Sequence, residues 1–401
     1  MEIMDTTRTT GIINYFPGYE LIVGSDGKRH NMYRGVDLGF GGYVYAEPGM
    51  YGNVALIDAA SMHPTSIEML NKLGDYTKRY ADLKKARVLI KHKQYAEAAK
   101  LFNGKLAKYL ENDDDAYSLS SALKLPLNSF YGISFMQRGT NPARDSRDIN
   151  NIIALRGALF MKTLQDEIVA QGYRCVSIKT DSCKIPNATP EIIQFVIDFG
   201  KKYGYEMEHE ATYDRMCLIN DSVYIAKYDE YGVRNKGGKD ANKWTATGAQ
   251  FAQPYVFKTL FSHEPIEFRD LCETKSTKTA LYLDMNENLA EGEHDYQFIG
   301  RVGQFTPIKP GCGGGILYRG DKSKFDSVTG TKGWRWLESE IVKAMGKEKD
   351  VDLNYYRTLV DKAVEAISKF GDFDSFVAEG KYVDMSFMNI PETDEEELPW
   401  D

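Results

Sequence analysis

Two aspartates, Asp58 and Asp181, stand at the ends of strand-like segments in distant parts of the chain. An acid at the tip of an apolar strand gains nothing from packing, so it serves a turn, a helix cap or a site. Paired carboxylates from different strands can hold two Mg²⁺ ions, which activate an attacking oxygen and steady a leaving one. Either acid taken alone reads more readily as a turn acid or helix cap than as a metal ligand. Between them, in LKLPLNSFYG, Lys124, Asn128 and Tyr131 follow one another at i, i+4 and i+7, on one face of a helix. A cation, an amide and an aromatic ring so placed can meet a triphosphate and a base or sugar. The lysine would neutralise charge on a departing pyrophosphate. Pro126 lies inside the stretch and should kink it.

These residues need elements to hold them. NVALID, 53–58, reads as a buried strand ending on its acid, and Pro64 suits the first turn of a helix running to Leu73. Two helical stretches follow, at 76–93 and 94–111, then the loop NDDD and a third helix ending near Tyr131. Ile152, Leu155, Leu159 and Ile168 recur at helical spacing over 149–170. YRCVSIKTDSCKI, 173–185, reads as two short strands around a turn at Thr180-Asp181, followed by a helix over 190–203. SVYIAKYDEYG and VRNKGG read as a β-rich stretch joined by turn residues, and 353–370 as an amphipathic helix. The pattern implies one α+β core with a helical excursion at 68–130.

The chain has 401 residues, 42% hydrophobic and 27% charged, the balance of a globular protein. It contains no apolar run of membrane-spanning length and no secretory leader. Five widely spaced cysteines without a CxxC pair argue against a disulfide framework and for a reducing cytoplasm. Net charge is −8, yet ten Lys and Arg crowd 77–108 against only Asp82 and Glu97. A basic surface on an acidic body suits a protein that holds a polyanion at one place. The last eleven residues hold six acids and no base, a solvated tail. KPGCGGG, 309–315, reads as a turn rather than a phosphate loop, because no GK[ST] follows. Trp334, Trp336, Cys175 and Cys183 read as core.

Taken together, three blocks resemble the polymerase motifs of the family B DNA polymerases, in order. DAASMHPTSI, 58–67, is similar to D-x-x-S-L-Y-P-S-I; LKLPLNSFYG keeps K-x-x-x-N-S-x-Y-G; KTDSCKI, 179–185, is similar to D-T-D-S. The resemblance covers about 40–230 and implies a right-hand polymerase with an antiparallel palm sheet, helical fingers and a mixed thumb. Its implied divisions are an N-terminal template-side segment (1–53), palm (54–67), fingers (68–131), palm (132–240), thumb and C-terminal region (241–388) and acidic tail (389–401).

The implied activity is DNA-directed addition of deoxynucleotides to a primer 3′ end, with two Mg²⁺ ions, or Mn²⁺ in their place. By resemblance, Asp58, Asp181 and the carbonyl of Ala59 hold the metals. Ser61 and Met62 offer backbone N–H groups to the triphosphate, and Lys124 contacts the phosphates and acts as general acid. Asn128 and Tyr131 line the nascent base pair, with His63 beneath the incoming sugar. Gly41, Gly42, Ser182, Tyr224 and Lys227 fall where the family touches DNA, Ser182 also supporting the carboxylate turn. The chain departs from the family pattern at His63 (usually Tyr), at Lys179 (usually Asp) and at Ser222-Val223-Tyr224, which lacks a lysine.

The D-x-E motif of a proofreading exonuclease is expected before the palm, but the sole D-x-E is Asp394-Glu395-Glu396 in the acidic tail. The expectation is therefore a viral, bacteriophage-type polymerase in the host cytoplasm, without a membrane partner. Its 3′–5′ exonuclease is expected either on a separately encoded chain or to be absent altogether. The competing readings are a catalytically weak DNA-binding subunit of a replication complex and a two-metal nuclease.

Overall fold

The computed structural model describes residues 12, 14–25, 27–135, 151–288, 290, 292–320 and 324–382. The expected acidic tail, 389–401, lies outside them. The architecture is mixed α+β with antiparallel sheets. Two compact units divide the chain: residues 1–215 with 228–242, and residues 216–227 with 243–401.

In the first unit, β1 (Glu20–Val23), β2 (Arg29–Tyr33) and β3 (Val36–Asp37) form a small antiparallel sheet. β4 (Val44–Ala46) pairs with β6 (Ser177–Lys179), β6 with β7 (Ser182–Ile185), and β7 with β5 (Gly49–Ala59), all antiparallel. β8 (Met207–Asn220) lies beside β5. Helix α1 (Met62–Met69) follows β5 directly, then α2 (Thr77–Lys91), α3 (Asp113–Phe135), α4 (Ile152–Ala170) and α5 (Pro190–Lys202). The core joins Ile57 of β5, Ile67 of α1, Leu159 and Leu164 of α4, Ile178 and Cys183 of the β6–β7 hairpin and Val196 of α5, each under 2% exposed. Cys175 and Cys183 are buried as the sequence suggests.

Three stretches differ from the sequence reading. α1 ends at Met69 rather than Leu73, because Asn71 takes a left-handed conformation that an α-helix cannot continue. The stretch 94–111 breaks into a short helix, Tyr95–Lys100, and two 3₁₀ turns, where Phe102 and Asn103 are both left-handed before Gly104. VRNKGG is no strand. The Asp229 carboxylate accepts from the backbone of Tyr231 and Gly232 and from Arg234, folding the segment into a turn that leads into the 3₁₀ turn Arg234–Lys236. Pro126 by contrast is absorbed within α3. The buried Tyr80 hydroxyl of α2 donates to the Leu127 carbonyl at 2.8 Å, pinning the turn that follows it.

The second unit is built on a five-stranded antiparallel sheet, ordered β14 (Phe325–Ser327), β13 (Ile316–Gly320), β11 (Glu273–Asp284), β12 (Tyr296–Ile308), β15 (Arg335–Glu338). It also contains β9 (Val223–Tyr228) paired with β10 (Trp244–Thr247), and helix α6 (Leu353–Ser368). Trp336 is fully buried among Leu281, Leu283, Phe305 and Tyr356, and Trp334 packs on the edge of this core. The glycine loop at 309–315 is a turn closed from within: the amides of Gly311 and Gly313 donate to the Glu287 carboxylate at 2.7 and 3.1 Å.

α1 is held close to α4 by one small residue. A Cβ on Gly157 would lie 2.7 Å from the Met62 sulfur. Gly157→Val should therefore cost about 1–3 kcal/mol of stability, read from the urea midpoint, through overpacking at the base of the turn that starts α1. Gly132→Ala, with no atom within 4 Å of its added Cβ, should leave packing undisturbed as the control.

Candidate active site

Asp58 and Asp181 become neighbours through strand pairing. β5 and β7 run antiparallel with Asp58 opposite Ser182, and the Ala59 amide donates to the Asp181 carbonyl at 2.8 Å. Asp181 sits in a tight turn: its amide donates to the Lys179 carbonyl at 2.7 Å, and Thr180 is left-handed at φ 61°. The Ser182 hydroxyl lies 3.5 Å from the same carbonyl, across the turn it was expected to support. Gly42 packs against this turn, where a Cβ would come within 2.6 Å of the Thr180 side chain. The need for glycine at position 42 is therefore steric and local, while Gly41 has no neighbour within 4 Å of its Cβ position.

Facing the carboxylates, Lys124, Asn128 and Tyr131 of α3 line the same cavity of about 440 Å³, together with Ser61, Met62 and His63 of the turn into α1. Ala59 is also at its wall. Every residue of the expected metal and nucleotide set thus meets around one space. Ser61 is left-handed at φ 58°, which helps turn the chain from β5 into α1 over the two residues Ala60 and Ser61. The His63 ring stacks on Tyr131 with centroids 4.1 Å apart and planes 17° off parallel. Its Nδ1 is buried without a hydrogen-bond partner among the described residues, and burial pushes the imidazole pKa down, so the ring is neutral at pH 7.

Three residues of this site went unnoticed in the sequence. Arg87 and Lys91 of α2 line the cavity, Arg87 donating to the Ser61 hydroxyl at 3.2 Å. Their i, i+4 spacing inside the basic stretch was the available signal. A second cavity of about 540 Å³ shares Arg87, Lys91 and Lys124 with the first. Asn151 donates to the Phe40 carbonyl at 2.9 Å and to the Tyr131 hydroxyl at 3.1 Å, tying α3 to the segment before Gly41, and nothing in its sequence context marks it. Tyr224 and Lys227 lie on β9 in the second unit. Lys227 is 8% exposed, with Nζ 3.5 Å from Glu379 and 5.7 Å from the Trp244 ring centroid.

The carboxylates crowd one another. Burial, with Asp181 and Glu210 nearby and Lys91 offsetting only part, raises the Asp58 pKa to about 7; burial and Glu210 also raise that of Asp181. Half-buried carboxylates this reluctant to ionise are a hard-ligand set that a divalent cation of the Mg²⁺ class would satisfy. His92, Glu206 and Glu208 also bring ligand atoms within 4.8 Å of one another. There Glu208 is already bonded to Lys91 at 2.6 Å and to His92 at 2.9 Å, an ion-pair network fastening the end of α2 to β8.

Neither a protein-family model nor a curated protein matches the chain. Among solved structures, it is similar to the family B DNA polymerase from the hyperthermophilic archaeon Pyrobaculum calidifontis. The TM-score is 0.45 at 12% identity, over 86% of this chain and 49% of that one. The chain therefore spans about half the length of that polymerase. Among the described residues, no helix is long and apolar enough to cross a membrane.

The proton on Asp58 fixes a pH dependence. The folded protein holds it up to about pH 7, whereas the unfolded chain releases it near the ordinary value of 3.8. Between those limits the fold binds the extra proton, so stability falls as pH rises through the window. Without divalent cations, the urea midpoint should drop between pH 5 and pH 8, and Asp58→Asn should recover roughly 2 kcal/mol at pH 8. Added Mg²⁺ should raise the wild-type midpoint at pH 8 and leave that of Asp58→Asn nearly unmoved.

Proposed function

We propose that this chain is a DNA-directed DNA polymerase with right-hand architecture, in which the cavity between β5, β7, α2 and α3 is the nucleotidyl-transfer site. The observation that carries the reading is the convergence of all three sequence blocks on that cavity, carboxylates on one side and cations on the other. A two-metal nuclease needs the carboxylates but has no use for the Lys124 helix face, and a mere DNA-binding subunit has no use for either.

Asp58 and Asp181 would hold two Mg²⁺ ions, with the Ala59 carbonyl completing the set. When bound, these ions supply activation of the primer 3′ hydroxyl and charge neutralisation at the phosphates. The chain's own groups do the rest. Lys124, Arg87 and Lys91 bind the triphosphate and offset the charge that builds on the departing pyrophosphate, Lys124 donating its proton there. The turn at Ser61 and Met62 presents backbone N–H groups to the phosphates. Asn128 and Tyr131 border the nascent base pair, with the His63–Tyr131 stack as the wall beneath the sugar. By the motif resemblance, primer–template DNA would run past Gly41, Gly42 and Ser182. The motif resemblance supports a viral or phage setting.

Primer extension tests the reading. Asp58→Asn and Asp181→Asn should each lower nucleotide addition by about 10³-fold or more while leaving primer–template affinity within about twofold, because each removes a metal ligand. Near-normal extension by either variant would refute the assignment.

His63 provides a finer check. Imidazole is smaller than the phenol usual at this place, and its free Nδ1 can bond a sugar hydroxyl. Discrimination against ribonucleotides should therefore be weak in the wild type. His63→Tyr should sharpen it about tenfold and His63→Ala weaken it further, in single-nucleotide incorporation with paired ribo- and deoxynucleotides. Equal selectivity across the three proteins would show that the ring is no gate.

A further inference from the structure

Asn151 stands where an asparagine ordinarily caps a helix, and its side chain is used for something else. It is the N-cap residue of α4, yet among the described residues its side chain makes no capping bond, and its backbone is left-handed at φ 49°. Asparagine is favoured at an N-cap because its side chain satisfies a free backbone amide of the first turn. Here that benefit is given up, and a sparsely populated backbone conformation is held as well. A local outlier of this kind points to a role away from the helix it begins.

The amide goes to two partners in other segments. Nδ2 donates to the Phe40 carbonyl at 2.9 Å and to the Tyr131 hydroxyl at 3.1 Å. A carbonyl can only accept, so the first bond fixes which end of the amide faces Tyr131: the NH₂ group donates and the hydroxyl oxygen accepts.

Each partner leads to a different wall of the catalytic cavity. The Tyr131 ring carries His63, stacked at 4.1 Å. Phe40 opens the segment 40–43, which reaches the turn that presents Asp181. The Tyr43 carbonyl accepts from the Thr180 amide at 2.9 Å, and Gly42 packs against the Thr180 side chain. The far end of this segment is also tied to α4, because the buried Tyr43 hydroxyl donates to Gln165 at 2.8 Å. One side-chain amide thus stands between the ring pair and a segment that is already fixed to the carboxylate turn.

We propose that Asn151 is a positioning residue of nucleotide addition. It sets the place of the His63–Tyr131 stack against the Asp181 turn, and so the place of the incoming sugar against the metal-binding carboxylates. What the stack borders rests on the polymerase reading; the tether itself does not. Displacements of about 1 Å at reacting atoms can cost about 10²-fold in rate, so the loss of one such tether should be visible.

Asn151→Gly removes the amide alone, since glycine tolerates both the N-cap and the left-handed backbone. Ring-labelled histidine spectra read the tether without any turnover, the His63 signal being assigned by its loss in His63→Ala. In Asn151→Gly that signal should move downfield, because the Tyr131 ring is no longer held over it. In primer extension, kcat should fall about tenfold while KM and primer–template affinity stay within about twofold, the mark of lost geometry rather than lost binding. Tyr131→Phe deletes only the hydroxyl and should reproduce both effects, and adding Asn151→Gly to it should change nothing further. Thermal melts establish folding, and Tyr131→Phe supplies the answer should Asn151→Gly fail to fold. An unmoved His63 signal overturns the tether. A moved signal with unchanged kcat overturns the positioning role, and so do additive losses in the double variant, because Asn151 would then act by another route. A wild type that adds no nucleotide refutes the polymerase reading and this role with it, even where the His63 signal responds.

Discussion

Two carboxylates forced together by a strand pair are the constraint around which the first unit is arranged. β5 and β7 bring half-buried Asp58 beside Asp181 with Glu210 near, and the cost appears as an Asp58 that ionises only near pH 7. Folding alone would not select such an arrangement, since apolar residues at the strand tips would be cheaper to bury. The geometry is nonetheless over-determined. The Ala59 amide holds the Asp181 carbonyl, Thr180 bends left-handed, and only a glycine at position 42 leaves space for that bend. Strain and repulsion held in place by surrounding structure are a common property of functional sites.

The positive side of the cavity answers the negative one without neutralising it. Arg87 and Lys91 come from α2, Lys124 from α3, and neither helix belongs to the sheet that carries the aspartates. α2 and α3 share their own small core, in which Ala86, Ile90 and Leu123 are buried, and Tyr80 bonds the backbone of α3. Arg87 is held partly desolvated, which lowers its pKa and leaves its Nε without a partner, so an incoming phosphate would gain an undersatisfied donor.

The second unit follows other rules. Its sheet buries aliphatic side chains on one face and sets aromatic ones on the other, and its glycine loop spends its amides on Glu287 rather than on a ligand. Lys227 is similarly committed, sunk beside Trp244 and paired with Glu379.

Sequence alone determined what depends on local periodicity and residue type. The strand ending at Asp58, the β6–β7 hairpin around Thr180-Asp181, α4, α5 and α6 are all legible, because alternation, helical spacing and turn residues act over a few neighbours. The Lys124, Asn128, Tyr131 face was legible for the same reason, even across Pro126. Tertiary structure decided everything that depends on distant partners. The left-handed residues that break 94–111 and end α1 early answer to packing rather than to propensity. The neighbourhood of Asp58 and Asp181 rests on strand register, and Asn151, tied to Phe40 and Tyr131 across the fold, carries no local mark. The stacking of His63 on Tyr131, the burial of Lys227 and the single row made by rings from β11, β12, β13 and β14 are likewise contacts between segments far apart in the chain. One-dimensional spacing cannot encode such contacts, because they exist only once the chain has closed on itself.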